Sequence, residues 1–236
     1  MPELTLIGVA TPQANPTVER EFRQFFAEPL VLQITRLHSA AAQPAERLAA
    51  YLEQLPAAIA TFGGMSLAAF GVACTGSSYV LGAEHERELT EAATQQAGYP
   101  VVTAAQAITR ELKLRGIEHF DLLSPYPESL NEAALSYWRS GGFVPTVGHR
   151  LALGEDTRAI YQLGDDAARR ALAALPDASR PVLLSGTGMP TLSALACDHP
   201  APLLSSNLCL AAELLRQAGC WPAQQLASLD RLTPAA

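Results

Sequence analysis

The sequence predicts an α/β protein built as two similar halves, each a parallel sheet flanked by helices, with a cleft between them. Three observations predict it. Short apolar runs of strand length alternate along the chain with stretches of helical periodicity, the pattern of parallel sheets covered by helices. The strands that matter end on Pro, Gly or small hydroxyl residues. That series of strand ends then occurs twice. Thr11-Pro12 returns as Ser124-Pro125, Ala73-Cys74-Thr75-Gly76 as Ser185-Gly186-Thr187-Gly188, and Pro100-Val101-Val102-Thr103 as Pro202-Leu203-Leu204-Ser205, at offsets of 113, 112 and 102 residues. Strand and helix punctuation common to all α/β chains would match some of these; three landmarks in one order at nearly one offset point to a duplicated unit.

Leu4 to Thr11 reads as a buried first strand, closed by Pro12. Asn15-Pro16 is a helix start, with a side chain able to cap and a proline in the first turn, and Thr17 to Phe26 continues it. Leu30 to Arg36 is a second strand, followed by a helix carrying Leu48, Tyr51, Leu52 and Leu55. The run from Leu67 to Ala73 is the third strand; it ends on Cys74, and Thr, Gly and two Ser follow at once. Glu86 to Ala97 is helical, with Glu84, Glu86 and Glu88 on its polar side. Pro100 to Thr103 is a short strand, and Ala104 to Leu114 a helix ended by Gly116.

The second pass begins with a strand at His119 to Ser124, closed by Pro125. Ser129 to Arg139 is a helix stopped by Gly141-Gly142, Phe143 to Leu153 is partly extended, and Asp165 to Leu175 is helical. Pro181 to Ser185 is a strand running into Gly186-Thr187-Gly188-Met189-Pro190. Pro202 to Ser205 is the last strand, and Leu208 to Ala218 a helix closed by Gly219. The expected division is 1–115 with 208–236 as the half carrying Cys74, and 116–207 as the half carrying Tyr126 and Gly186.

Bulk properties narrow the function. The 236 residues carry a net charge of −7 with 16 Lys plus Arg and no basic cluster, which argues against nucleic acid or an anionic membrane surface as partner. No run approaches the roughly 20 apolar residues of a membrane span, and the N-terminus lacks the basic start of a signal peptide. A cytoplasmic protein with reduced thiols is the expectation. The four cysteines (74, 197, 209 and 220) form no CxxC pair and have no histidine at zinc-ligand spacing, so a structural metal is not expected. The five histidines are scattered and form no triad, and Trp138 and Trp221 are expected to pack.

Cys74 is the candidate of most interest. At a strand end just before a helix it faces backbone N–H groups, which attract anions and lower a thiol's pKa. A free cysteine is also a common inert core residue, and the residues alone leave both readings open. Its position in the second half is Gly186. If two α/β halves face each other, their strand carboxyl ends share one cleft, with a thiol on one wall and no side chain on the other.

These motifs resemble those of the aspartate/glutamate racemase superfamily, in particular its branch of maleate cis–trans isomerases and arylmalonate decarboxylases. The resemblance spans nearly the whole chain. Ile7 to Glu19 is similar to the opening strand and loop of the isomerases, and Ala73-Cys74-Thr75 to the first catalytic-cysteine motif. Ser124-Pro125-Tyr126 resembles the loop supplying a substrate-binding tyrosine. Gly188-Met189-Pro190-Thr191-Leu192 resembles the tail of the second cysteine motif, and Ser205-Ser206-Asn207 a following strand end.

The resemblance implies two flavodoxin-like halves and cofactor-free chemistry on a small carboxylate or dicarboxylate. Racemases of the superfamily use a cysteine on each face of the reacting carbon; Gly186 departs from that pattern. Arylmalonate decarboxylases carry one cysteine and one glycine at these positions, with the cysteine in the second half, so here the proton is expected on the opposite face. The expected function is decarboxylation of a malonate-type diacid by Cys74, with maleate-type isomerisation or racemisation as the alternative and a carboxylate-binding protein as the alternative of another class.

In this scheme Cys74 is the acid, or the nucleophile in an isomerase. An active thiol of that kind is expected to alkylate faster than a model thiol. Thr75, Gly76 and Ser77 offer hydroxyls and N–H groups to the enediolate, or simply make a turn and helix cap. Tyr126 donates from the other half, or packs in the interface. Gly186, Thr187 and Gly188 complete the mirror-image pocket, or form a tight turn. Asn15 binds a substrate carboxylate by its match to the isomerases, while N-capping alone also accounts for it. Thr157 stands where isomerases have a second asparagine. The candidate motifs hold no Lys or Arg, so neutral donors are expected to hold the carboxylates; Arg158 either reaches in or, as is commoner for such a residue, is a solvated loop charge.

Overall fold

The computed structural model describes residues 4–26, 30–151 and 153–220, with backbone alone at 147–149. Of the C-terminal stretch 208–236 assigned above to the first half, residues 221–236, Trp221 among them, lie outside the described residues. The first half runs β1 (Thr5–Pro12), α1 (Thr17–Phe25), β2 (Leu30–Leu37), α2 (Pro44–Glu53), α3 (Leu55–Ala60), β3 (Ala69–Val72), α4 (Thr75–Leu81), α5 (Ala83–Ala97), β4 (Val101–Thr103) and α6 (Ala104–Leu114). The second runs β5 (His119–Ser124), α7 (Glu128–Ser140), β6 (Val144–Arg150), a 3-10 turn (Thr157–Gln162), α8 (Ala167–Ala173), β7 (Val182–Leu184), α9 (Leu192–Leu195), β8 (Leu203–Ser205) and α10 (Ser206–Gln217).

Every described strand pair is parallel, and the two sheets have the same order: β2-β1-β3-β4 and β6-β5-β7-β8. The chain is therefore an α/β fold of two pseudo-symmetric flavodoxin-like halves. The three repeated sequence landmarks fall at the ends of β1 and β5, β3 and β7, and along β4 and β8, which are the topologically equivalent strands. In each sheet the order reverses between the first and third strands, so Pro12 and Cys74 flank one switch point and Pro125 and Gly186 the other. That is where open α/β sheets bind ligands.

Burial on both faces explains the continuous apolar runs. Ile7, Val9, Phe70 and Val72 of the first sheet and Phe120, Leu122, Leu183 and Leu184 of the second are fully buried. Helix α10 closes the first half: it packs along α6 and over β3, where Leu210 and Leu214 lie against Gly71.

The halves join through α4. Tyr79 on that helix makes edge contacts with Tyr126, Tyr137 and Trp138, at ring-centroid separations of 5.9, 5.4 and 5.8 Å. Trp138 is fully buried, as expected of a packing residue. Glu86 corrects the sequence reading: it was placed on the polar side of α5 but is buried. It accepts hydrogen bonds from Ser78 (2.5 Å), Tyr137 (2.5 Å) and Thr103. Burial raises its pKa, since the three hydroxyl donors only partly offset the lost hydration. A charged residue at helical spacing reads as solvated until a partner helix is known to cover it.

Candidate active site

Cys74 follows β3 directly and stands at the N-cap of α4 with extended backbone (φ −150°, ψ 93°). The Ser77 hydroxyl donates to its Sγ at 3.2 Å, and the N–H groups of Gly76 and Ser77 also point at the sulfur. The sequence reading expected a lowered thiol pKa. The net direction is upward, because burial of a residue only 5% exposed outweighs those three donors. At neutral pH Cys74 is a protonated thiol, the form required of an acid.

Opposite it the backbone of Gly186 has φ +120°, a conformation that residues with side chains rarely adopt. A Cβ there would come within 3.1 Å of Ile160 Cδ1 and 3.2 Å of Pro125 Cγ. Ser206 Oγ fixes the turn by accepting from Gly186 N–H at 3.0 Å, and Asn207 Nδ2 does so by donating to Thr187 O at 3.0 Å. The Tyr161 ring covers Gly188, leaving 2.7 Å to the place a Cβ would occupy.

The two walls are laced together. Thr75 Oγ1 and Tyr126 OH share a 2.6 Å hydrogen bond, and Tyr79 OH and Ser185 Oγ one of 2.8 Å. Thr187 Oγ1 donates to Ala73 O and Thr17 Oγ1 to Gly188 O, both at 2.8 Å. Burial holds the Tyr126 phenol far above its ordinary pKa, so it is a donor at any physiological pH.

The enclosed space between the walls is lined by Cys74, Thr75, Gly76, Tyr126, Gly186, Thr187 and Gly188 among others, so seven of the nine predicted residues converge there. Ser77 and Asn15 do not line it. Ser77 supports the thiol from below; Asn15 Oδ1 accepts from Thr17 N–H at 2.9 Å and Val18 N–H at 3.4 Å, holding the first turn of α1, and its Nδ2 lies 3.5 Å from Thr187 Oγ1. Cys209 is fully buried elsewhere, within the influence of Glu111, Arg115 and Arg216.

Six further lining residues carry no site expectation from the sequence: Arg47, Leu48, Tyr51, Leu130, Ile160 and Tyr161. Arg47 corrects the expectation of a site without cations; Arg158 reaches its edge with a side chain 62% exposed, the solvated loop charge expected. Arg47 sits at helical spacing between apolar neighbours on α2, which was the available signal. The free volume is about 40 Å³, room for one or two waters. A larger cleft of about 580 Å³ lies between α5, α6 and α7, but it contains no strand carboxyl end and no thiol. Among the described residues no group of three or more His, Cys, Asp or Glu could hold a metal ion, and no helix is long and apolar enough to cross a membrane.

The arylmalonate decarboxylase family profile matches residues 7–236. The chain belongs to the arylmalonate decarboxylase family. It is thereby an enzyme of the decarboxylase and isomerase branch of the aspartate/glutamate racemase superfamily. Three solved structures illustrate the fold. A cysteine-to-alanine variant of the maleate isomerase Iso from Pseudomonas putida S16, with maleate, is 18% identical over 90% of this chain and 91% of that one, at a TM-score of 0.78. A cysteine-to-serine mutant of Nocardia farcinica maleate cis–trans isomerase, with a covalently bound succinylcysteine intermediate, is 21% identical over 92% and 94%, at 0.76. A liganded arylmalonate decarboxylase mutant, with one glycine changed to cysteine and one cysteine to serine, is 25% identical over 91% and 93%, at 0.73. No curated protein sequence matches.

Proposed function

We propose that this family member is a cofactor-free enzyme that decarboxylates a small malonate-type diacid, with Cys74 protonating one face of the resulting enediolate. The observation that carries the reading is the pairing of a buried thiol with Gly186, which offers no acid or base and whose backbone disfavours a side chain.

The malonate dianion loses carbon dioxide, and the electron pair of the broken bond becomes the enediolate. The Thr75–Tyr126 hydroxyl pair lines the space and, with one hydrogen held between the two, can turn the other toward that charge, while the Thr187 hydroxyl is spent on Ala73 O. Cys74 Sγ gives its proton to the carbon, leaving a monocarboxylate and a thiolate. Ser77 Oγ and the Gly76 and Ser77 N–H groups stabilise the thiolate until solvent returns the proton. The apolar side chains of Leu48, Leu130 and Ile160 keep the departing carboxylate poorly solvated. The decarboxylase mutant that gains a cysteine at a glycine and loses one to serine carries the exchange that the resemblance implies here.

Maleate-type isomerisation is the second reading. It is favoured by the succinylcysteine held in the Nocardia enzyme and by TM-scores of 0.76 and 0.78 for the isomerases against 0.73 for the decarboxylase mutant. There Cys74 would add as a thiolate, which its upward-shifted pKa opposes.

Incubation with substituted malonates and with maleate in deuterated water, followed by NMR, separates the readings. Decarboxylation yields a singly deuterated monocarboxylate of one hand. Fumarate from maleate, with malonates untouched, replaces it with the isomerase reading. Racemic product, or no turnover of either class, overturns it.

A further inference from the structure

Arg47 is the one buried charge in the cavity that the chemistry above leaves unused. Its side chain is 7% exposed, and it lines the same space as Cys74, Tyr51 and Tyr161. Nη1 reaches only the Ala41 and Ala42 carbonyls, at 3.3 and 3.4 Å, and Nη2 donates to Thr157 Oγ1 at 3.1 Å. Its nearest carboxylate, Asp156, lies 3.9 Å away and is half exposed. Asp156 is itself gripped by Arg158 through contacts of 2.9, 3.0 and 3.1 Å. Two guanidiniums thus share one carboxylate beside the cavity, and among the described residues its lining contains no Asp or Glu. Glu155 faces a separate outer groove with Gln43 and Pro44. Buried charge without a dedicated counter-ion is costly, and an arginine fork is suited to a carboxylate.

We propose that Arg47 forms a second anion subsite, distinct from the neutral donors around Cys74, so that the substrate carries an additional carboxylate or similar anion on its side chain. This rests on the reading of a carboxylate substrate whose reacting carbon sits between Cys74 and Gly186. The added anion replaces Thr157 as the partner of Arg47, and the positive field of Arg47 already reaches Tyr51 and Tyr161, both of which also feel Cys74. A malonate with a carboxymethyl group fits this description; its decarboxylation product is succinate, whereas the uncharged ethyl analogue gives butyrate.

Calorimetric titration of succinate and butyrate tests the subsite without requiring turnover, so its failure is separable from failure of the decarboxylase reading. Wild-type protein is expected to bind succinate at least about 30-fold tighter than butyrate. Arg47→Met should reduce that ratio to about threefold or less, and Arg47→Lys should retain part of it. Should Arg47→Met fail to fold, Asp156→Asn supplies the test at an exposed site: removing the shared carboxylate should raise succinate affinity severalfold over butyrate. A wild-type ratio below threefold, an equal loss of both ligands in Arg47→Met, as for a residue that merely pins the turn, or an unchanged ratio in Asp156→Asn would each overturn the subsite.

Discussion

The end of β3 and the end of β7 occupy equivalent places in two sheets of identical strand order, yet their backbones part company after one residue. After Cys74 the chain enters a helix at once, and the N–H groups of its first turn converge on the sulfur. After Gly186 it makes a turn in which Met189 N–H bonds Gly186 O, and the next helix, α9, waits until Leu192 and lasts four residues. One wall is built to hold a charge that appears on sulfur; the other is built to come close and carry nothing. Duplication conserves topology more readily than it conserves the local φ and ψ on which chemistry depends.

Removing the thiol abolishes the contrast. Cys74→Ser should lower kcat/KM about 10³-fold in the deuterated-water assay, the scale of a lost general acid; near-normal turnover would remove Cys74 from the chemistry. Tyr126→Phe takes a donor from the opposite half and leaves Thr75 Oγ1 without its 2.6 Å partner. A fall in kcat of about 10²-fold is expected, as for an oxyanion donor, together with a loss of about 1–3 kcal/mol of stability from the buried Thr75 hydroxyl left unpaired.

Making the walls alike tests whether the asymmetry lies in the backbone. Gly186→Cys should cost about 1–3 kcal/mol of stability in urea unfolding, from positive φ alone, and Ile160 and Pro125 add crowding. It should not produce exchange of the product's α-proton with solvent; a stable variant that racemises its product would show that the glycine is a replaceable choice. The smallest effect is in alkylation. Because the Cys74 pKa is raised, its thiolate fraction at pH 7.5 is below that of a free thiol, and iodoacetamide should label it severalfold more slowly, with the rate still climbing above pH 9. This reverses the fast labelling expected from the motif.

That reversal shows where sequence reading stops. Strand ends were legible because punctuation is local: Pro12, Cys74, Pro125 and Gly186 all lie where the repeat places them. The direction of the Cys74 shift was not, because helix N–H groups are read from neighbours in sequence while burial is decided by α2, the Thr157–Gln162 turn and the facing half. Arg47 and Tyr161 were hidden for the same reason: each reaches the cavity from an element with no motif of its own. Asn15 was legible only as two alternatives, and the structure shows the capping bonds. Glu86 reads as a surface charge until Tyr137 arrives from the other half.

The Glu86 junction has a mechanical consequence. One carboxylate binds Ser78 on the helix that begins at Cys74, Thr103 at the end of a neighbouring strand, and Tyr137 on a helix of the opposite half. With the four hydrogen bonds that lace the walls, it makes the jaws of this cleft a single casting. The cavity between them is small, about 40 Å³. The Thr157–Gln162 turn closes one side of that cavity, with Ile160 and Tyr161 in its lining and Thr157 hydrogen-bonded to Arg47.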